Sequence, residues 1–205
     1  MSANHNEDDQ RMIRLQGGET AAFDEIVAAW QSPLFGFFIR RLHDAQQAED
    51  LVQETLLRVF RKSWNFIPTG NFRGWLFRIA HNLLVDDVRR RSGDALVRRV
   101  TSTISVDGDP VDLLSLMPDD LVPVEDHVSR QETSEVIREL IEQLPDDQKQ
   151  TFLMHHFDGL TLSEVADAME TALPTAKSRL RLAREKLRYQ LVCRGIVDEV
   201  VTDST

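Results

Sequence analysis

Large apolar residues recur at three- and four-residue intervals over residues 19–91 and again over 133–191, but not in the stretch between them. That interruption constrains the fold more than any other feature. A chain of 205 residues holds one domain or two small ones of roughly 60 to 100 residues, and the break selects the second arrangement. Residues 93–132 hold three of the seven prolines and no sustained periodicity, so they read as a linker. Within it "VDLLSLMP" is a weakly apolar run that suits a short helix or a docking segment. The expected fold is all-α: two small helical domains joined by a flexible acidic linker. Residues 1–18 are expected to be a disordered extension and 192–205 a frayed tail.

Charge follows the same division. The chain carries a formal net charge of -10, which argues weakly against non-specific affinity for nucleic acid. Counted by segment, the picture changes. Residues 100–135 carry nine acids against Arg130, a formal -8, whereas 177–190 carry six basic groups against Glu185, a formal +5. Residues 71–99 carry seven arginines against three aspartates, a formal +4. Two basic patches therefore sit on two compact modules in an acidic chain.

In the first module, "AAFDEIVAAWQSPLFGFFIRRL" places Phe23, Ile26, Val27, Trp30, Leu34, Phe37 and Phe38 on one helical stripe, with Pro33 expected to bend or restart it. "HDAQQAEDLVQETLLRVFRKSW" follows, with Asp44 as N-cap and a buried face of Ala48, Leu51, Val52, Thr55, Leu56, Val59 and Phe60. Its opposite face carries Gln47, Asp50, Gln53, Glu54 and Arg58. That face suits a basic helical partner or plain solvation equally well. "NFIPTGNF" is a loop, and "RGWLFRIAHNLLVDDVRRR" resumes as a helix with Trp75, Leu76, Ile79, Ala80, Leu83, Leu84 and Val88 inward. Aromatic residues beside a basic face suit single-stranded nucleic acid, whose bases stack without a duplex's register. Core packing is the competing reading for Phe72 and Trp75, and the loop also suits an extruded base.

The second module contains "FDGLTLSEVADAMETALPTAKSRLRLAREKL". Thr161 with Glu164 makes a capping box, Leu162, Val165, Ala166 and Met169 face inward, and a turn at 170–172 leads to a second helix with Pro174 in its first turn. There Ala176, Leu180, Ala183 and Leu187 face the core, leaving Thr175, Lys177, Ser178, Arg179, Arg181 and Arg184 outward. This is helix-turn-helix order. Short polar residues near the start of the second helix approach bases, and long basic ones hold the backbone. A solvated basic helix is the bland alternative.

Enzyme signatures are missing. His155 and His156 are adjacent, so they do not share a helix face, and neither a zinc-protease motif nor a glycine-rich phosphate loop occurs. The lone Cys193 excludes an internal disulfide and offers no metal-ligand spacing. No catalytic residue, metal or cofactor is expected. The opening "MSANHNEDDQRM" does not read as a signal peptide, and no apolar run approaches a membrane span. A cytoplasmic protein without membrane insertion is expected.

These segments, in this order, resemble the extracytoplasmic-function (group IV) sigma factors of the sigma-70 family, the smallest promoter-specificity subunits of bacterial RNA polymerase. "DAQQAEDLVQETLLRVF" resembles their polymerase-binding segment. "FRGWLFRIAHNLLVDDVRRR" resembles their promoter-melting and -10-reading segment, and "LPDDQKQTFLMHHFDGLTLSEVADAM…TAKSRLRLAREKL" their -35-reading domain. The resemblance implies sigma region 2 at 19–92 and region 4 at 133–191. It places Asp50, Gln53, Glu54, Leu57 and Arg58 against the β′ clamp helices of core polymerase. Phe66, Asn71, Phe72, Asn82, Asp86, Arg89 and Arg90 would contact the -10 element, the loop from Phe66 to Phe72 capturing a flipped base. Thr175, Lys177, Ser178, Arg179, Arg181 and Arg184 would enter the -35 major groove. Implied partners are core polymerase (β′ clamp helices and β flap), promoter DNA and an anti-sigma factor that yields to a stress signal, with no obligate homo-oligomer. One departure stands out: Glu170 and Thr171 occupy a turn where the family usually carries glycine and a β-branched residue. The competing readings are a stand-alone helix-turn-helix regulator and a sigma-mimicking protein–protein adaptor.

Overall fold

The computed structural model describes residues 3–94 and 130–197. Among them every regular element is helical: α1 (Ala3–Gln16), α2 (Ala21–Leu42), α3 (Ala45–Lys62), a 3-10 turn (Ser63–Asn65), α4 (Phe72–Asp94), α5 (Arg130–Glu142), α6 (Asp146–His156), α7 (Leu162–Ala168) and α8 (Leu173–Cys193). The fold is thus all-α in two compact units. Of the described residues, one unit comprises 3–94 with 163–172, and the other 130–162 with 173–197. Most of the acidic linker, including "VDLLSLMP", lies outside the described residues.

The first unit is built on aromatics. Ile26, Leu34, Phe37 and Phe38 on α2 and Leu76 and Phe77 on α4 are almost wholly buried. Phe77 meets Phe37 at 5.3 Å and Trp30 at 6.2 Å between ring centroids, both edge-on, the geometry favoured by the ring quadrupoles. Pro33 does not divide α2, which runs unbroken through it. Pro33 is on the exposed side, so water can reach the carbonyl its ring leaves without a donor. Asp44 caps α3 as expected, its side chain accepting from the Gln47 backbone N–H at 3.1 Å.

Three readings need correction here. Residues 3–16, expected to be disordered, form α1. Met12 and Leu15 are buried, and the Trp30 indole N–H donates to Asp8 Oδ1 at 3.1 Å, while Arg11 pairs with the same carboxylate at 2.6 Å. Asp8 and Asp9 thus find partners far along the chain as well as near, in Trp30 and Gly70. Phe60, expected inside, is 44% exposed and meets Phe23 edge-on, and Val88 is 51% exposed. Gln47, expected outside, is buried, and its Nε2 donates to the buried carboxylate of Asp87 on α4. Asp87 also pairs with Arg90 at 2.5 Å and Arg91 at 3.1 Å. A buried acid needs such partners, because desolvation otherwise opposes its charge.

At the start of α2, Arg14 bridges Glu19 and Glu25. Its hydrogen bonds hold both carboxyls below the usual carboxylate range and raise its own pKa.

The second unit packs α5, α6 and α8 around Ile137, Leu140, Leu144, Phe152, Leu180, Ala183, Leu187 and Leu191. Polar ties frame this core: Arg194 to Glu139 at 2.9 Å, Lys149 to Glu142 at 3.1 Å, and the Lys186 ammonium to the Gln143 carbonyl at 3.1 Å.

Candidate polymerase and promoter interface

On α3, the apolar stripe that closes the core leaves the other face to solvent. Asp50 and Gln53 are exposed, Leu57 is 45% exposed, and Glu54 pairs with Arg58 at 2.8 Å. Leu57 and Phe60 put apolar surface within this polar face.

On α4, Asn82, Asp86 and Arg89 are exposed at i, i+4 and i+7, hence on one face. Arg90 remains largely exposed although it pairs with Asp87. Inside the first unit, Asn82 Nδ2 donates to Glu170 Oε1 at 3.0 Å, Asn71 Nδ2 to Asp167 Oδ2 at 2.6 Å, and Arg78 Nε to the Asp167 carbonyl at 2.9 Å.

The loop before α4 departs from expectation. Phe66 and Phe72, read as base contacts, are 5% and 1% exposed. Phe66 meets Trp75 at 5.1 Å and Phe72 at 5.8 Å, and Phe72 reaches Trp30 at 5.8 Å. These rings are core, for the same physical reason as their neighbours: each removes a large apolar area from water. The loop instead displays Trp64 (77% exposed) and Ile67 (73% exposed). Both were missed in sequence. No periodic signal marked them, because α3 ends at Lys62 and its helical register does not carry through the 3-10 turn into the extended backbone at Phe66. Asn71 precedes α4 and its carbonyl accepts from Trp75 N–H at 3.1 Å, an N-cap position. A Cβ on Gly74 would come 2.5 Å from Asn71 Oδ1, so only glycine lets that side chain fold over the first turn.

The α7–turn–α8 segment has helix-turn-helix order. Glu170 adopts φ 50°, the left-handed conformation for which the family's glycine is suited. Thr171 N–H donates to the Ala166 carbonyl at 2.9 Å and Glu170 N–H to that of Asp167 at 3.3 Å, a Schellman cap made without glycine. On α8, Ala176, Leu180, Ala183 and Leu187 are buried as predicted, while Thr175, Lys177, Ser178 and Arg181 are exposed. Arg179 is partly engaged, paired with Asp147 at the start of α6, and Arg181 pairs with Glu185 at 2.6 Å. Lys177, Arg181, Arg184 and Arg188 rim a shallow groove floored by Leu162 and Leu180. Among the described residues no group of three or more His, Cys, Asp or Glu side chains is placed to hold a metal ion, and no helix is long and apolar enough to cross a membrane.

A polar-apolar helix face, a basic helix behind an aromatic loop and a basic second helix after a tight turn define a DNA-associated helical protein. Comparison with known proteins makes the class specific. Residues 26–93 match the family model Sigma-70 region 2, and residues 134–187 match Sigma-70, region 4. The chain is 31% identical over 185 residues to RNA polymerase sigma-H factor of Pseudomonas aeruginosa, covering 88% of this chain and 92% of that protein. It is 30% identical over 183 residues to the ECF RNA polymerase sigma factor SigW of Bacillus subtilis, covering 89% and 95%. In fold it is similar to CnrH solved with the cytosolic domain of CnrY (TM-score 0.64, 20% identity, 92% and 99% covered). It is also similar to the sigma factor RpoE solved with the anti-sigma factor NepR from Bartonella quintana (TM-score 0.61, 22% identity, 83% and 96% covered). The chain belongs to the ECF sigma factors of the sigma-70 family. Its general role is that of a non-enzymatic specificity subunit, which binds core RNA polymerase and recognises promoter DNA.

Proposed function

We propose that the α3 face of Asp50, Gln53, Leu57 and the Glu54–Arg58 pair docks on the β′ clamp helices, and that the second unit meets the β flap. The α4 face of Asn82, Asp86, Arg89 and Arg90 reads the -10 element, with Asn71 and the loop before α4 taking up a flipped non-template base. In that loop the displayed Trp64 and Ile67 supply the stacking surface, and Phe66 and Phe72 support it from beneath. On α8, Thr175, Lys177, Ser178, Arg181 and Arg184 enter the -35 major groove, with Arg179 anchored by Asp147. The observation that carries this reading is the division of α8 into a buried alanine-leucine stripe and an exposed face of short polar and long basic residues.

Regulation by an anti-sigma factor belongs to the same proposal. RpoE was solved with one, and CnrH with the cytosolic domain of CnrY; such a partner would mask the same faces until a stress signal releases them. Run-off transcription with purified core polymerase tests the whole. The expected outcome is a promoter-specific transcript that requires this chain, with promoter binding weak until core is added. A stand-alone regulator would instead footprint a palindrome without polymerase, and an adaptor would give no transcript.

A further inference from the structure

The loop between α3 and α4 is not shaped by its own hydrogen bonds alone. Gln16, the last residue of α1, donates both protons of its amide to this segment, to the Ser63 carbonyl at 2.8 Å and the Phe66 carbonyl at 2.8 Å. Asp9, two turns earlier on α1, accepts the Gly70 N–H on Oδ2 at 2.6 Å. Gly70 sits at φ 76°, a conformation that only glycine adopts freely. The two ties bracket the displayed part of the loop: Ile67, Pro68 and Thr69 lie between the carbonyl held by Gln16 and the N–H held by Asp9. Trp64 lies between the two carbonyls on Gln16.

Asp9 is 4% exposed, and its Oδ1 is buried with no hydrogen-bond partner. A buried carboxylate with an unmet oxygen is an unfavourable arrangement. Apolar contacts from Met12 and Leu15 already hold α1 in place, and Asp8 adds its bond to Trp30. The charge at Asp9 is therefore not needed to attach the helix. What it adds is a fixed acceptor at the one loop residue with left-handed backbone, just ahead of the α4 N-terminus, where negative charge is also favoured.

We infer that Asp9 and Gln16 are positioning residues for promoter recognition: α1 is a template that fixes the loop in its base-receiving shape. The inference rests on the proposed role of that loop in -10 recognition. Neither residue needs to touch DNA. Their effect is on selectivity, because a loop free to sample other shapes accepts wrong bases nearly as well as right ones.

The test uses the full chain assembled with core polymerase. The probe is a fluorescent non-template strand taken from a promoter mapped with the wild-type protein, alongside the same strand with one -10 base replaced. The variants are Asp9→Ala, Gln16→Glu and Asp9→Asn. Gln16→Glu keeps the shape but has no N–H to donate, and Asp9→Asn keeps an acceptor for Gly70. The expected result is that the affinity ratio between correct and substituted strands falls about fivefold or more in Asp9→Ala and Gln16→Glu, the low end of what one well-placed base contact gives. Asp9→Asn should restore most of the ratio, and affinity for core should stay unchanged in all three. An unchanged ratio overturns the inference. So does an equal loss of affinity for both strands together with core binding, which would mark the two residues as structural only. Should the wild-type holoenzyme itself show no strand preference, the proposed role of the loop falls and this inference with it. A wild-type preference retained by the variants removes the inference alone.

Discussion

Phe72 separates two roles that sequence alone left open, and its substitution has a calculable cost. The ring is 1% exposed and touches Trp30, Phe66 and Trp75 at centroid distances of 5.8, 5.8 and 5.9 Å. Removing about 150 Å² of buried ring at ~25 cal/mol per Å² costs about 4 kcal/mol, within the ~3–5 kcal/mol expected for Phe→Ala in a packed core. Phe72→Leu keeps most of the volume and should cost about 1 kcal/mol. With a urea dependence of ~2 kcal/mol per M for a small domain, the alanine variant should unfold at about 2 M less urea and the leucine variant at about 0.5 M less. Trp30 and Trp75 flank the site, so tryptophan fluorescence reports the transition directly. The leucine variant, still folded, should retain promoter-strand binding. A Phe72→Ala protein with an unmoved midpoint and abolished strand binding would refute the reasoning and put the ring on DNA.

Replacing Lys177 or Arg181 with alanine should weaken promoter binding across sequences and lower the slope of log affinity against log salt by about 1 each, with core binding unchanged in a pull-down. In an Asn82→Ala background, which already lacks the bond from Asn82 to Glu170, Glu170→Gly should raise stability by about 0.5–1 kcal/mol, because the left-handed backbone strain of ~1–2 kcal/mol exceeds the entropy glycine loses on folding; a drop in melting temperature there would contradict the assigned turn. The carboxyls of Glu19 and Glu25 are held low by Arg14, so their contribution is present above the ordinary carboxylate range and is lost as pH falls through their lowered values. Arg14→Met should therefore flatten the acid limb of the pH–stability curve, measured by urea midpoints from pH 6 down to about 3.

The helices were legible because their buried residues follow a 3.6-residue period: Leu51, Val52, Leu56 and Val59 on α3, and Ala176, Leu180, Ala183 and Leu187 on α8, could be placed by spacing alone. The helix-turn-helix order was legible for the same local reason, whereas the special place of Glu170 in the turn came from the family resemblance. What escaped depends on partners distant in sequence. Whether Asp8 and Asp9 are solvated or buried is decided by Trp30 and Gly70, and whether Gln47 faces inward is decided by Asp87. Phe66 and Trp64 differ by two residues, yet one fills the core and the other meets solvent. An aromatic loop advertises apolar surface without saying which rings face which way, and only the packing of α2 and α4 resolves it.

The buried join between Gln47 and Asp87, with Arg90 and Arg91 gathered on the same carboxylate, has a mechanical consequence. It ties α3 to α4 at a point where sliding would break the Gln47 bond and leave polar atoms buried without a partner. The two helices are therefore joined by a specific polar contact as well as by their apolar faces, which resists a shift of one along the other. If the two faces have the roles proposed for them, the offset between enzyme and melted strand becomes a fixed length of the protein, carried as a ruler carries its graduations.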